Sequence, residues 1–207
     1  MATPVPADGR HARTVRSRDA VVNAVLELVE ESGRRPSVEE VSARAGVSER
    51  TIFRIFESLD ALVAAAVARR VEMVVPLVSL EVPSGLPLVE RVNRLCEHRA
   101  ILYEATSTLR FVAEPMRREL VAVDEILGSA RILLREQLEG LFASELAVAD
   151  RPSGSQALDA VEVITMWSSW RSLRVDLGLG VGDAVRVMAR AVEAIVRDSQ
   201  ESGAPAK

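Results

Sequence analysis

The chain has 207 residues, 48% hydrophobic and 27% charged, the make-up of a globular protein with one good core and room for a smaller one beside it. Its net charge of −4 excludes a uniformly basic nucleic-acid binder, and a single cysteine, Cys96, excludes an internal disulfide framework and suits a reducing compartment. The longest apolar stretch, Ala61 to Ala68, is too short to span a bilayer, and no continuous apolar segment marks the N-terminus, so a cytoplasmic location without a membrane partner is expected.

Charge is unevenly spread. Arg10, Arg13, Arg16 and Arg18, with His11 among them, form a run without an acid, so residues 1–17 read as a flexible basic arm. Such an arm suits a phosphate backbone or a minor groove, or is simply a solvated tail. The first helix is expected from about Arg18 to Glu31, with Val21, Val22, Val25, Leu28 and Val29 on one face and Gly33 ending it. Ser37-Val38-Glu39-Glu40 has the spacing of a capping box and opens a short second helix that ends at Ala45-Gly46. Ser48 caps a third helix running to about Phe56, and Ser58 a fourth that stops before Pro76.

Glu81 to Pro87 holds helix-breaking residues and reads as a connector. Further helices are expected at about Leu88 to Glu104, Thr106 to Ala113, Pro115 to Leu146, Gln156 to Leu177 and Gly182 to Asp198, with a loop at Asp150 to Ser155. No strand pattern is present. The expected fold is all-α, with a helix-turn-helix domain at 18–57, a helical ligand-binding and dimerisation domain at 58–199, and a frayed tail at 200–207.

The informative segment is Ser37 to Phe56. Its two short helices meet through Ala45-Gly46-Val47-Ser48, where Gly46 permits the left-handed backbone of a tight turn. Val38, Val41 and Ala45 on one helix, and Val47, Ile52 and Phe56 on the other, point inward. The outer face of the Ser48 helix is then free to act as a rod that fits a major groove.

The run Gly33…Ser37-Val38…Val41-Ser42…Ala45-Gly46-Val47-Ser48…Thr51-Ile52-Phe53-Arg54-Ile55-Phe56…Ser58…Leu62 resembles the DNA-binding domain of the TetR family of transcriptional regulators. The resemblance covers about Arg18 to Val63. It implies a homodimer that binds a palindromic double-stranded DNA operator, represses transcription and is released by a small-molecule effector of unknown identity. It implies that Ser37 and Ser48, with their helix N-termini, face phosphates, and that Thr51 contacts phosphate. Glu49, Arg50 and Arg54 are placed near base edges or backbone, Phe53 on the same helix, and Arg16 and Arg18 on the basic arm. The sequence departs from the family pattern at Phe53, where tyrosine is usual, Leu59, where lysine is usual, Arg50, commonly glycine, and Ile55, often aromatic or histidine. Two of these departures remove phosphate contacts, and Arg50 adds charge back.

One helix-turn-helix reads few base pairs, so two copies about 34–36 Å apart are expected. The last two helices are apolar over a broad arc, with Leu158, Val161 and Trp167 on one and Val185, Met188, Val192 and Ile195 on the other. The resemblance implies that these form the dimer interface, while a thick protomer core is the other reading. Cys96, Arg99, Tyr103, Phe111, Met116, Phe142, Met166, Trp167 and Trp170 are candidates for a ligand pocket or are ordinary core. Arg99 and Arg171 either meet an anionic ligand or pair with Glu104 and Asp176.

The competing classes are an enzyme and a protein-interaction module of the same fold. His11 and His98 are the only histidines, and neither has a partner set that suggests catalysis. Cys96 and His98 alone do not make a metal site. No catalytic residue, metal or cofactor is expected.

Overall fold

The computed structural model describes residues 7–83, 85–146 and 152–202. Among them the regular structure is helical throughout, with no strand. The helices are α1 (Ala7–Ser32), α2 (Val38–Ala45), α3 (Glu49–Phe56), α4 (Leu59–Val78), α5 (Leu88–Ala113), α6 (Val121–Leu141), α7 (Ala143–Leu146), α8 (Pro152–Thr165), α9 (Trp167–Arg171) and α10 (Val181–Ser202). A 3-10 turn at Glu114–Arg118 precedes α6, and a π-turn at Ser172–Asp176 continues α9.

The chain divides into two compact units, residues 1–73 with 106–128, and residues 74–105 with 129–207. The first has an aliphatic core built from Val21, Val22, Val25 and Val29 of α1, Val41 of α2, Ile52 and Phe56 of α3, and Leu62, Val63, Ala66 and Val67 of α4. Leu109, Ala113, Met116, Val123 and Leu127 close it. This unit is larger than the expected 18–57 domain because α4 and the end of α5 bury their apolar faces in the same core. In the second unit, α8 packs extensively on α10, whose buried Ala184, Met188, Val192 and Val196 recur every fourth residue.

Several boundaries differ from expectation. Helix α1 begins at Ala7 rather than Arg18, so residues 7–17 are helical and not a flexible arm. Alanine and arginine are good helix formers, and nothing there stops a helix that buried valines already anchor downstream. Residues 1–6 of the arm and 203–207 of the tail lie outside the described residues, while 200–202 complete α10. Pro76 lies inside α4 rather than beyond it. Its missing N–H falls in the last turn, where little helix remains to kink. Helix α5 is continuous through Ala105, and the long helix expected from Pro115 is broken by the 3-10 turn and again at Phe142. Of the loop expected at Asp150 to Ser155, residues 152–155 are helical and 150–151 lie outside the described residues.

The helix expected over 156–177 is interrupted at Met166, which is extended with φ −85° and ψ 164°. Two hydrogen bonds stabilise the break. Thr165 Oγ1 donates back to the Val161 carbonyl at 2.8 Å, a bond that bends helices, and the Tyr103 hydroxyl donates to the Thr165 carbonyl at 2.7 Å.

Between α3 and α4 the backbone turns within Glu57-Ser58. Glu57 has φ 61° and ψ −37°, the one non-glycine positive φ among the described residues. Its N–H donates to the Phe53 carbonyl at 2.9 Å, which ends α3, and Ser58 Oγ accepts from the Ala61 N–H at 3.0 Å, which starts α4. A side chain in that conformation is strained by about 1–3 kcal/mol. Glu57→Gly should therefore raise unfolding stability by about 1 kcal/mol in urea denaturation. A loss of stability would show that the turn is not strained.

Candidate functional site

Helices α2 and α3 are positioned by caps written into the sequence. Ser37 is the N-cap of α2, with its Oγ accepting from the Glu40 N–H at 3.2 Å and its own N–H donating to Glu40 Oε2 at 2.7 Å. The box is reciprocal, as the spacing predicts. Gly46 ends α2 at φ 66° and ψ 29°, its N–H donating to the Ser42 carbonyl. Ser42 Oγ then donates to the Val47 carbonyl at 2.6 Å, tying both sides of the turn together. Ser48 caps α3, accepting from the Thr51 N–H at 3.3 Å, and the two hydroxyl oxygens lie 3.0 Å apart.

With Ile52 and Phe56 buried, the opposite arc of α3 is in water. Glu49, Arg50, Phe53 and Arg54 are exposed, as are Ser37 and Ser48, and Thr51 is half-buried beside its cap. Phe53 is 44% exposed, so it is not a core residue of this unit. Arg16 is exposed on α1, while the Arg18 guanidinium lies 4.5 Å above the Phe56 ring, a cation–π contact that holds it to the domain.

Pairing separates the arginines of this unit into two sets. Arg34 pairs with Glu40, Arg35 with Asp60, Arg44 with Glu27 and Glu31, Arg69 with Asp19 and Arg70 with Glu30. Arg13, Arg16, Arg50 and Arg54 have no ion pair among the described residues. The unneutralised charge thus lies on α3, on the first half of α1 and at Arg118, which is exposed in the 3-10 turn and likewise has no ion pair among the described residues. Exposed arginines of this kind match phosphate oxygens or the N7 and O6 edge of guanine.

In the second unit the structure gathers Cys96, Tyr103, Phe142, Trp167 and Trp170 into one core, with Arg99 buried and Met166 half-buried. Tyr103 meets Trp167 edge-on, with ring centroids 6.0 Å apart. Trp170 Nε1 donates to Glu104 Oε1 at 2.9 Å, and Arg174 pairs with the same carboxylate. Phe111 and Met116 do not join this group, because both belong to the first unit, Phe111 being 40% exposed and Met116 buried in its core. Arg171 lies 3.5 Å from Asp176, as one reading of the sequence had it, but Glu104 is taken by Arg174 and Trp170 rather than by Arg99.

The dimer expectation needs correction at five positions. Leu158, Val161, Trp167, Met188 and Val192 are 0–5% exposed within the protomer and have no surface to give a partner. They are core. Val185 and Ile195 are half-buried and pack against that core. The apolar surface left in water on α8 and α10 is instead Val163, Val181 and Val187, 54%, 40% and 46% exposed, and Val187 lines a shallow groove of about 330 Å³ together with Ile164, Ser168, Ser172, Leu173 and Ala191. Helical spacing marked both helices as apolar but did not tell which arc would be covered by α8 and α10 packing on one another.

A second cavity, of about 450 Å³, is lined by Leu80, Val82, Pro83, Arg91, Gln137, Gly140, Leu141, Ala143 and Ser144. Arg91 in its wall is bound to Glu145 and donates to the Leu141 carbonyl. None of these residues stood out in the sequence. Gln137 lies mid-helix with nothing local to mark it, since its partners are Val78 and Arg99 in other helices. Among the described residues no cluster of metal-ligating side chains exists, and no helix is long and apolar enough to cross a membrane.

The fold is all-α, a helix-turn-helix unit followed in the chain by a helical body. A TetR-family transcriptional regulator from Streptomyces coelicolor superposes with a TM-score of 0.66 at 16% identity, covering 90% of this chain and 85% of that one. A transcriptional regulator from Rhodococcus sp. Rha1 superposes with a TM-score of 0.65 at 17% identity, covering 90% of this chain and 97% of that one. No family model and no curated protein sequence matches the chain.

The capping box has a pH signature. The Arg34 guanidinium, then the Ser37 N–H, hold the Glu40 carboxyl at about 2 against an ordinary 4.5. Its folded value is the lower one, so its contribution to stability is full above 4.5 and is lost as pH falls toward about 2. Glu40→Gln keeps the shape of the box and removes the charge. Denaturation midpoints of the two proteins should differ at neutral pH and converge as the pH falls through that window. A constant gap would show that the charge contributes nothing.

Proposed function

We propose that this protein is a transcriptional regulator that binds a palindromic double-stranded DNA operator as a homodimer, acts in the cytoplasm as a repressor, and is released by a small-molecule effector. The observation that carries the reading is the segregation of unpaired arginines. Most arginines packed round the first core are neutralised by a carboxylate, whereas Arg50 and Arg54 on the exposed arc of α3 are not. Two capped N-termini, at Ser37 and Ser48, belong to the same pair of helices and suit phosphate oxygens. Likeness to regulators of the same fold supports the class, and the role of repressor rests on the resemblance of the motif.

In this reading Arg50 and Arg54 read base edges, Thr51 and the two serines hold phosphate, and Arg16 extends the phosphate contacts along α1. Arg50→Ala should cost about 1–3 kcal/mol on the operator and little on random duplex, whereas Thr51→Ala should weaken both alike. Fluorescence anisotropy with selected and scrambled duplexes measures the difference. Equal losses on both duplexes for Arg50→Ala would remove it from base reading.

Dimerisation follows from the need for two readers, and the exposed arc of α8 and α10 supplies the apolar face. Val187→Arg places a charge in the middle of that arc and should convert the dimer into a monomer in sedimentation equilibrium, with helicity unchanged. A dimer that survives Val187→Arg would place the interface elsewhere. Effector release is a shift between two reader spacings, and α4, which gives Leu62 to the first core and Val74 to the second, is the helix shared by both.

One observation favours a second reading, a protein-interaction module without DNA. Phe53 presents an exposed aromatic ring on α3, and Leu59 stands where the resemblance expects a phosphate-binding lysine. Binding to duplex that falls steeply with salt supports the regulator, and the absence of any salt-dependent binding supports the module.

A further inference from the structure

Buried charge in the second unit is balanced at its other sites and not at Arg99. Glu162, 6% exposed, accepts from Arg131 Nε at 2.5 Å and is also met by Arg135. Arg91, with its side chain 12% exposed, lies on Glu145. Arg99 is more buried than either, at 1% exposure, and has no carboxylate partner among the described residues. Its guanidinium donates to Gln137 Oε1 at 2.8 Å and to the Leu134 carbonyl at 3.0 Å, and lies 3.3 Å from His98 Nδ1. All three acceptors are neutral.

Its neighbours do not supply the missing anion. Burial pushes the Cys96 thiol up to about 12, so it is not a thiolate. The Tyr103 hydroxyl donates to the Thr165 carbonyl and is therefore a phenol. A guanidinium does not shed its proton in a protein, and an uncompensated buried ion costs several kcal/mol. His98 is neutral as well. Its Nδ1 lies beside Arg99, and burial holds its pKa below the usual imidazole range, while backbone groups of Leu77 and Ser79 lie within reach of the ring.

We propose that Arg99 is the anchor for a monoanionic ligand with an apolar body, a carboxylic acid, which enters through the cavity walled by Leu80, Val82, Pro83 and Leu141 and takes the place of Gln137 on the guanidinium. Gln137 connects the two features. It lines the cavity of about 450 Å³, its Oε1 occupies Arg99, and its Nε2 donates to the Val78 carbonyl. The wall is mixed: Leu80, Val82, Pro83 and Leu141 offer apolar surface to a hydrocarbon body, and Arg91, Gln137 and Ser144 line the rest. One unbalanced positive charge calls for one negative charge. A dianion would be left with a surplus, because Arg91 in the same wall is already neutralised by Glu145. The inference takes from the proposed function only that the second unit is the sensor, and it gives that sensor a ligand class.

Isothermal titration of the full-length protein with octanoate tests it. Octanoate should bind at least tenfold more tightly than octan-1-ol, which has the same body without the charge. Arg99→Met should abolish that preference and should not lower the melting temperature, since replacing a buried ion by an apolar side chain is often neutral or stabilising. Gln137→Glu supplies the carboxylate from within, so it should fold and lose octanoate binding; it carries the test should Arg99→Met fail to fold. Absence of octanoate binding, equal binding of octanoate and octanol, or undiminished octanoate binding by Gln137→Glu overturns the assignment. Binding that follows these expectations but leaves operator affinity unchanged supports the site and overturns only its role as effector site.

Discussion

Ile52 and Phe56 have to be buried, and much of the first unit depends on that. An eight-residue helix is too short to persist in water on its own propensity, so α3 exists because its apolar face packs against α1 and α2. Full burial of two such side chains is worth about 1.5–3 kcal/mol each, more than any exposed contact on the opposite side can contribute. The core therefore chooses which arc of α3 faces out, and Glu49, Arg50, Phe53 and Arg54 are exposed as a consequence. The Ser48 cap sets where the helix starts, and the strained Glu57 sets where it ends. The geometry of the exposed arc of α3 is thus fixed by packing and by two backbone constraints.

Charge follows a second economy. Exposed ion pairs contribute little to stability, so the pairs of Arg34, Arg35, Arg44, Arg69 and Arg70 matter less for the energy they add than for the charge they cancel. A protein with net charge −4 repels polyanions in general. Keeping Arg50 and Arg54 free of carboxylates leaves two uncancelled positive charges on the exposed arc of one short helix. The same logic, applied in the interior, isolates Arg99. There the dielectric is low, and neutral acceptors satisfy hydrogen bonds without cancelling the charge.

Local features were the legible ones. Ser37, Gly46 and Ser48 announce themselves because a cap or a tight turn depends on residues within four positions of one another. Helix type was equally plain from apolar spacing. What failed was anything decided by a distant partner. The break at Met166 depends on Tyr103, far away in sequence, and α1 begins early because its valines are anchored by α2, α3 and α4. Leu158, Val161, Met188 and Val192 have the same periodicity whether they meet a neighbouring helix or a second copy, so spacing alone did not separate core from interface. Gln137 and the cavity beside it were invisible for the same reason.

The two cores differ in kind, and the difference bears on what each unit can do. The first is almost wholly aliphatic, with Phe56 its one buried aromatic ring among the described residues. Such a core has no polar handles and is held by packing alone. The second contains Tyr103, Phe142, Trp167 and Trp170, and the hydroxyl and indole N–H groups of these rings reach the Thr165 carbonyl and Glu104. Aromatic rings with polar tips hold a core in register only while those tips have partners. Thr165 sits at the break before Met166, and Glu104 is shared between Trp170 and Arg174 at the π-turn, so rearranging either partner would move α9 against α5. The second unit thus depends on polar contacts between distant helices that the aliphatic core does without.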